Sequence, residues 1–365
     1  MAEAHVILEL PNAWLSNPAD GDRHLRLYLS IWQSLADIGV TVRAVPLPFG
    51  ADTAVRIAHP DQLVISFHSR GPAGNVLRIK ESYVPPYYTI DRLGFSGFSE
   101  LAKFPEKFAG QIDTLPTKAA MKFVTQLKTE IVQGNLSKYG QPSGAAKPPP
   151  GPYVFMPLQT VEDPVASLSD LDQMEALEAL ASATSEMGWN VIVKRHPLCE
   201  SDHVARELAR LEGKYTNLMR STASVHPLIS NAEAVIGANS GVLFEALVHG
   251  AHVITFAQSD FRSATTPIKN CSEIAGAILG RARVDRASQC RFLAWYLLHY
   301  CVRSDDVHKI STHIAAALFE LDIHPSSDLD LQRELFEQSA ATEAARRRSV
   351  LAKGRRRPFW KKPAK

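Results

Sequence analysis

The sequence predicts an α/β protein built from two Rossmann-like domains that face a central cleft. Short apolar runs alternate with amphipathic helical segments in both halves of the chain, which is typical of parallel sheets with helical crossovers. A proline-rich stretch separates the two halves. The chain has 365 residues, of which 45% are hydrophobic, so it is longer than one ordinary domain and can build two cores.

The proline-rich stretch is the clearest domain boundary. Residues 141–152 read QPSGAAKPPPGP, and three consecutive prolines cannot continue a helix or a central strand. We therefore predict a first domain over residues 1–140, a linker over 141–152 and a second domain over 153–325. A helical segment over 326–345 and a tail over 346–365 follow.

The first domain is regular only at its beginning. We predict strands at 5–10, 40–46 and 62–67, with a helix over about 22–38 between the first two. Residues 68–116 are rich in Gly, Pro, Tyr and Ser and show no clean periodicity. A loop-rich stretch of that length is usually functional or poorly ordered.

The second domain shows a cleaner alternation of elements. The predicted strands lie at 153–157, 190–194, 234–237 and 252–256. The predicted helices lie at about 170–187, at about 202–212, from near Ser240, and at about 287–301 and 305–320. We expect the last two helices to close the domain.

Polar residues follow three of these strands at the point where each strand ends. Because ligands bind at the carboxyl ends of the strands in doubly wound sheets, we expect these residues to form one site. The candidates are Gln159, Glu162 and Asp163 after the first strand, Lys194, Arg195 and His196 after the second, and Asn239, Ser240, Gly241 and Glu245 after the third.

The chemistry of these residues favours an anionic ligand that carries hydroxyl groups. Residues 194–196 offer cationic donors for a phosphate, and the helix that begins near Ser240 offers free backbone N–H groups to an anion. The carboxylate of Glu245 suits ribose hydroxyls. A carboxylate at Glu162 or Asp163 suits nucleophilic or base chemistry on a sugar.

Each candidate also has a purely structural interpretation. His196 can cap a turn, residues 239–240 can cap a helix at about 1 kcal/mol without any ligand, and residues 162–164 can form a solvated turn before a helix. Four further acidic residues fit helix starts or surface positions better than a metal site, so we predict no metal; they are Asp170, Asp172, Asp328 and Asp330.

Charge is distributed unevenly along the chain. Ten of the 40 Lys and Arg residues lie in residues 346–365, which contain no acid, and this leaves 30 bases against 38 acids, a net charge of −8, in the rest of the chain. An acidic body is a poor nucleic-acid binder, so the pattern argues against nucleic acid as the partner of the globular part.

The sequence favours an intracellular protein. The N-terminus lacks a basic stretch followed by an apolar run, and apolar runs such as 293–298 are far shorter than the about 20 residues that span a bilayer. Four cysteines without CxxC spacing argue against a disulfide framework and against a structural zinc site; they are Cys199, Cys271, Cys290 and Cys301.

Three motifs of the second domain resemble those of the bacterial capsule-polysaccharide and lipopolysaccharide β-Kdo transferases. In order, they are Pro157-Leu-Gln159 with Asp163, Lys194-Arg-His196-Pro197, and VIGANSGVLFEALVHG over 235–250. Weaker likenesses are ESYVPP over 81–86, DRLGFSGFS over 91–99 and RFLAWYLLHY over 291–300. The resemblance covers about residues 5–320.

The resemblance implies a GT-B-like, retaining glycosyltransferase that takes CMP-Kdo as its donor substrate, transfers Kdo to a glycan or glycolipid acceptor and needs no cofactor. In that family the His-Pro histidine and the serine-bearing helix N-terminus hold the CMP phosphate, which correspond to His196 and Ser240. The proposed nucleophile is an aspartate after the glutamine motif, which corresponds to Asp163. Glu81 is the best match to the proposed first-domain acid/base.

In capsule or lipopolysaccharide biosynthesis the growing glycan is attached to lipid, so the basic tail over 346–365 is a candidate membrane anchor. Its Lys and Arg residues, with Phe359 and Trp360, suit an anionic membrane surface. We therefore expect a cytoplasmic protein that lies peripherally on the inner face of the cytoplasmic membrane.

Three alternatives stay open at the level of sequence. A sialyltransferase-like enzyme also uses CMP sugars and a His-Pro motif. A nucleotide-sugar 2-epimerase has the same two-domain architecture and would prefer a uridine nucleotide. A non-catalytic scaffold would use residues 346–365 to bind a membrane or RNA.

Overall fold

The computed structural model describes residues 5–12, 18–47, 61–142, 151–280 and 283–324. These residues form two six-stranded sheets with helices packed against them. Residues 143–150 of the predicted linker, the predicted helical segment over 326–345 and the basic tail over 346–365 lie outside the described residues.

The first sheet is parallel at its centre and antiparallel at one edge. Its strands are β1 (Val6–Pro11), β2 (Val42–Leu47), β3 (Leu63–Phe67), β4 (Val76–Glu81), β5 (Tyr87–Asp91) and β12 (Cys301–Arg303). They are arranged in the order β2-β1-β3-β4-β5-β12, and β5 and β12 run antiparallel to their neighbours. Helix α1 (Pro18–Ile38) connects β1 to β2 and packs Leu27, Ile31 and Leu35 against the sheet.

The second sheet is parallel throughout. Its strands are β6 (Tyr153–Pro157), β7 (Asn190–Lys194), β8 (Leu218–Arg220), β9 (Ala234–Gly237), β10 (Val253–Thr255) and β11 (Thr266–Pro267), in the order β8-β7-β6-β9-β10-β11. This is the Rossmann order, in which the chain reverses its direction of winding between the first and fourth strands of the unit. The switch point therefore lies between β6 and β9, where a ligand crevice is expected.

Helices complete both units. The first half of the chain contributes α2 (Glu100–Lys103), α3 (Glu106–Asp113) and α4 (Thr117–Gln133). The second contributes α5 (Gln173–Glu186), α6 (Asp202–Lys214), α7 (Val225–Ser230), α8 (Gly241–His249), α9 (Ile274–Ile278), α10 (Arg286–Trp295) and α11 (Val307–Glu320). Residues Tyr296–Tyr300 extend α10 as a π-helical turn.

Local chemistry explains where helix α8 begins and ends. Ser240 is its N-cap, and the Ser240 hydroxyl accepts from the backbone N–H of Val242. Gly250 ends the helix with a φ of 83°, in the left-handed region where a side chain would be strained. A Cβ at that position would also lie 3.0 Å from the guanidinium carbon of Arg286. The predicted helix start near Ser240 is confirmed.

The domain boundaries differ from those predicted, because the chain crosses between the two units twice. Strand β12 pairs with β5, and the following helix α11 places Ile310 and Ile314 in the core under α1. Residues 301–324 therefore complete the first domain, whereas the sequence predicts a second domain over 153–325. Conversely, helix α4 precedes the linker but packs against α8 and α10 of the second domain.

The predicted irregular region over 68–116 contains strands β4 and β5 and helices α2 and α3. Every residue of β5 is buried. A strand with both faces buried shows no alternation of polar and apolar residues, which explains why periodicity missed it. The predicted helix over 287–301 ends at Tyr300, and Cys301 begins a strand instead.

Gly97 provides a test of the contact between the domains. A Cβ at Gly97 would lie 2.6 Å from the carbonyl oxygen of Gln258 and 2.7 Å from Leu168 Cδ1, both in the second domain. We expect Gly97→Ala to lower the free energy of unfolding by about 1–3 kcal/mol, since the added methyl group overpacks the contact. Chemical denaturation measures this change.

The matched control is Gly110→Ala. Gly110 lies in helix α3, and its Cβ would meet nothing within 4 Å. Removing a helical glycine at an open position should stabilise the protein by up to about 1 kcal/mol. Equal effects of the two substitutions would show that Gly97 is not in a tight interdomain contact.

Candidate functional site

A cavity of about 790 Å³ lies between the two domains, at the carboxyl ends of the central strands. The structure brings the nine predicted site residues together around it: Glu81, Gln159, Asp163, Lys194, His196, Asn239, Ser240, Gly241 and Glu245. Arg195 lines it as well, whereas Glu162 is exposed and lies outside the lining. The shared placement at one sheet edge agrees with the strand-end argument.

Glu81 stands on the first-domain wall as the last residue of β4. Lys80 Nζ lies 2.8 Å from Glu81 Oε2, and Lys138 Nζ lies 3.5 Å from Glu81 Oε1. Burial opposes ionisation of this carboxyl, but the two ammonium groups outweigh it and hold the pKa of Glu81 well below its usual range. Glu81 is therefore a carboxylate at neutral pH and can accept a proton.

Asp163 stands on the second-domain wall, at the switch point. It is half-buried and caps a short 3-10 helix, Pro164–Leu168, through a 3.0 Å hydrogen bond from Val165 N–H to Asp163 Oδ1. The turn-cap interpretation is therefore correct for one carboxylate oxygen. The cap uses Oδ1 and holds the carboxyl group in a defined orientation at the cavity wall.

Asn239 braces the turn that carries Asp163. Its Nδ2 donates to the carbonyl oxygens of Val165 at 2.9 Å and Gln258 at 3.1 Å, which ties the turn after β6 to the loop after β10. Asn239 Oδ1 is buried and has no hydrogen-bond partner among the residues that the structure describes. Asn239 thus both positions the turn and leaves an acceptor unused.

His196 lies in the loop after β7. Its Nδ1 accepts from the backbone N–H of Leu198 at 3.2 Å, which assigns the proton of the neutral ring to Nε2. Burial lowers the pKa of His196, an effect that Lys138 reinforces and Asp163 opposes. The ring of Tyr139 meets it edge-on, with centroids 5.0 Å apart. His196 is therefore a neutral hydrogen-bond donor at pH 7, and not the cation that the sequence suggested.

The two basic neighbours of His196 are engaged with backbone carbonyls. Lys194 Nζ donates to the carbonyl oxygens of Thr222, at 3.4 Å, and Ala223, and burial lowers the pKa of Lys194. Arg195 Nη2 donates to the carbonyl of Ser201 at 2.9 Å. Both side chains brace loops of the cavity wall while adding positive charge to it.

Helix α8 presents its N-terminus to the cavity through Ser240 and Gly241. One turn further in, Glu245 Oε1 accepts a 2.6 Å hydrogen bond from Ser137 Oγ, while Glu245 Oε2 is buried without a partner in the described ranges. Burial raises the pKa of Glu245 to about 7. A ligand hydroxyl that donated to Oε2 would satisfy this oxygen.

Gln159 has its backbone held from both sides. Gln173 Oε1 accepts from the N–H of Gln159 at 3.1 Å, and Gln173 Nε2 donates to its carbonyl at 3.2 Å. The side-chain Oε1 of Gln159 is buried and has no partner within the described part of the chain. Like Asn239 and Glu245, it offers an unused acceptor at the cavity.

Sequence reasoning missed a buried tyrosine–aspartate cluster at the base of the cavity. Tyr83 Oη donates to Asp260 Oδ1 at 2.7 Å, and Tyr296 Oη donates to Asp260 Oδ2 at 2.8 Å. Burial raises the pKa of Asp260 to about 6. The residues are far apart in the chain, and no spacing rule could have linked them.

It also missed residues 137–142, which line the cavity just before the linker. Lys138 and Tyr139 face Glu81 and His196 respectively. A basic and an aromatic residue beside an interdomain linker were the available signal, since linkers of two-domain proteins pass close to the cleft.

The raised pKa of Glu245 predicts a pH-dependent stability. A carboxyl whose pKa is higher in the folded than in the unfolded chain stabilises the fold below its unfolded pKa and loses that contribution as pH rises through the folded pKa. Between about pH 4.5 and 7 the loss should amount to about 2–4 kcal/mol. Glu245→Gln should remove this contribution from the pH dependence measured in denaturation curves and leave the one that the raised pKa of Asp260 adds over an overlapping range.

Glu130→Gln, at an exposed position of helix α4, is the control and should keep the wild-type pH dependence. If the wild type and Glu245→Gln lost stability in parallel between pH 5 and 8, Glu245 would not be the titrating group.

Three solved structures that align with this chain are two β-Kdo transferases and a trehalose 6-phosphate synthase. The Thermosulfurimonas dismutans KpsC β-Kdo 2,4 transferase structure aligns with a TM-score of 0.49 and 15% identity, over 85% of this chain and 99% of that one. The β-Kdo 2,7 transferase structure of the same organism aligns with a TM-score of 0.49 and 12% identity, over 86% of this chain and 100% of that one. A trehalose 6-phosphate synthase structure from Burkholderia multivorans aligns with a TM-score of 0.41 and 11% identity, over 88% of this chain and 99% of that one.

The chain has no significant match among curated protein sequences. Residues 141–264 match the family model described as capsule polysaccharide biosynthesis protein. This stretch contains β6 to β10 and the second-domain wall of the cavity. The predicted GT-B-like architecture is confirmed by the two facing Rossmann-like units, and the predicted resemblance to the capsule-polysaccharide family is confirmed by the match of its second domain.

Proposed function

We propose that this protein is a retaining glycosyltransferase that transfers Kdo from CMP-Kdo to a glycan acceptor in capsule or lipopolysaccharide biosynthesis. The observation that carries the proposal is the cavity itself, in which carboxylates on opposite domains, Glu81 and Asp163, stand beside a second-domain wall suited to a nucleoside monophosphate. The capsule-polysaccharide family match supports the biosynthetic context.

The second-domain wall offers each part of CMP a partner. His196 Nε2–H and the backbone N–H groups at the start of α8 suit the phosphate, since both are donors and the helix dipole favours an anion. The unpartnered Oε2 of Glu245 suits a ribose hydroxyl. A single phosphate can be held by these donors without a metal ion.

The two carboxylates then divide the chemistry. Asp163 attacks the anomeric carbon of the sugar, the bond between that carbon and the phosphate oxygen breaks, and CMP leaves with the electron pair. An acceptor hydroxyl next attacks the same carbon, the bond to Asp163 breaks, and Glu81 takes the hydroxyl proton. Two displacements restore the configuration, so the linkage is retained. The two ammonium groups keep Glu81 deprotonated, which is the form that can take the proton.

The test is mass spectrometry of the protein incubated with CMP-Kdo and no acceptor. We expect a covalent adduct of one Kdo residue on wild-type protein and none on Asp163→Asn, because the amide is a poor nucleophile. The variant should still bind CMP and should lose at least about 99% of turnover, which corresponds to about 3 kcal/mol of transition-state stabilisation.

Glu162→Gln is the matched control, because the neighbouring carboxyl is exposed and lies outside the cavity. It should form the adduct at the wild-type rate. Turnover by Asp163→Asn close to that of the wild type would refute the assignment of the nucleophile. Binding of UMP in preference to CMP would instead favour a 2-epimerase.

We further propose that the protein works at the inner face of the cytoplasmic membrane, held by the basic tail. In the described part of the chain, no helix is both long and apolar enough to cross a bilayer. Each of the ten basic residues over 346–365 contributes about 1 kcal/mol near an anionic leaflet before screening, while the rest of the chain has a net charge of −8.

A chain that ends at Ala345 should keep its melting temperature and its activity on soluble acceptors but lose binding to phosphatidylglycerol vesicles. Sedimentation with such vesicles measures this, and vesicles of neutral phosphatidylcholine are the control. Binding of the full-length chain should fall as salt is raised, since salt screens the attraction. Equal sedimentation of the two chains would exclude the tail as the anchor.

A further inference from the structure

The segment between helix α4 and the linker is fastened to the second domain. Over residues 134–142, which we call the crossing segment, Asn135 Oδ1 accepts from Ser224 Oγ at 2.6 Å, and the carbonyl of Leu136 accepts from His226 Nε2 at 2.9 Å. The next residue donates to Glu245, as described above. These three contacts hold the backbone just before Lys138 against the nucleotide-side wall, and after it Gln141 Oε1 accepts from the backbone N–H of Val225 at 3.2 Å.

Lys138 differs from the other cavity cations in having no settled hydrogen-bond partner. The others are occupied: Lys80 by Glu81, Lys194 by the carbonyls of Thr222 and Ala223, Arg195 by the carbonyl of Ser201, and Arg220 by Glu212. Lys138 Nζ has one ion pair, at 3.5 Å to Glu81, and no hydrogen bond to any residue in the described ranges. Its donors are available to a ligand.

The position of Lys138 places it between the two halves of the site. Its charge acts on Glu81 of the first domain and also on His196 of the second. The other charged groups that act on Glu81 are Lys80 on the same strand and His24 on helix α1. Of these three groups, Lys138 is the one held against the second domain, because the crossing segment is hydrogen-bonded to that domain.

We propose that Lys138 is a further residue that positions the donor substrate. When the sugar nucleotide enters the cavity, the Lys138 ammonium group breaks its ion pair with Glu81 and binds an anionic oxygen of the sugar nucleotide instead. This inference rests on the proposed function. The anionic oxygen belongs either to the nucleotide phosphate or to the carboxylate of an acidic sugar. An ammonium group on a short, fastened segment can serve either, because it is an adaptable point charge.

Glu81 and the donor then compete for the same ammonium group. Binding of the donor withdraws one of the two cations that hold the Glu81 carboxylate, so Glu81 becomes a stronger base when there is a sugar to transfer. Loss of the Glu81 charge should release Lys138 and strengthen donor binding, and this gain should require Lys138.

The experiment is calorimetric titration of CMP, with kinetic measurement of KM for CMP-Kdo. We expect Lys138→Met to weaken binding of the anion by about tenfold or more, as is typical of a hydrogen bond to a charged group, and Lys138→Arg to restore part of it. Lys122→Met, at an exposed position of helix α4 outside the cavity, is the matched control and should match the wild type.

The identity of the anion follows from which ligand is affected. Weaker binding of CMP by Lys138→Met assigns Lys138 to the phosphate, whereas a higher KM for CMP-Kdo with unchanged CMP affinity assigns it to the sugar carboxylate. Glu81→Gln should bind the affected ligand several-fold more tightly than the wild type, and most of this gain should disappear in the double variant Glu81→Gln, Lys138→Met.

Two outcomes overturn the proposal, and they are distinguishable. If the wild type binds CMP and Lys138→Met binds CMP and CMP-Kdo as tightly as the wild type does, the role proposed for Lys138 is wrong and the proposed function stands. The same conclusion follows if Glu81→Gln increases the affinity by the same factor with and without Lys138. If the wild type binds neither CMP nor CMP-Kdo, the proposed function fails and this inference fails with it.

Discussion

The buried carboxylate of Asp260 is the interaction on which the geometry of the site depends. Its two oxygens accept from Tyr83, which follows the first-domain strand β4, and from Tyr296, which lies just before the chain returns to the first sheet. A buried carboxylate is costly unless both oxygens are satisfied, and here two tyrosine hydroxyls satisfy them. Since Tyr83 is two residues from Glu81, this cluster sets where the first-domain carboxylate stands relative to the second domain.

The double crossing of the chain adds to the same constraint. Strand β12 joins the first sheet after the second domain is complete, and helix α4 packs on the second domain before the linker begins. Asp91, the last residue of β5, ties the returning chain to the first domain, because its Oδ2 accepts from Tyr300 at 2.5 Å and from the N–H of Glu100 at 2.9 Å. The two domains are therefore joined by packed elements and not by the linker alone.

Within this frame, environment gives chemically identical groups different properties. Two lysines keep Glu81 ionised, whereas burial without a countercharge raises the pKa of Glu245 to about 7. Such separation of carboxyl pKa values lets one site hold a deprotonated carboxylate beside a carboxyl that titrates near neutral pH. His196 follows the same rule, since burial makes it a neutral donor with its proton on Nε2.

The sequence by itself determined the alternation of strands and helices in the second domain, the N-cap of helix α8, and the grouping of Asp163, His196 and Ser240 at one sheet edge. These follow from local patterns and from the geometry of parallel strands, which act over a few residues or one βα unit. Only the tertiary structure decided the rest. The pairing of β12 with β5, the Asp260 cluster and the place of Lys138 beside Glu81 join residues from distant parts of the chain, and their partners are chosen by packing and desolvation, which no local pattern records.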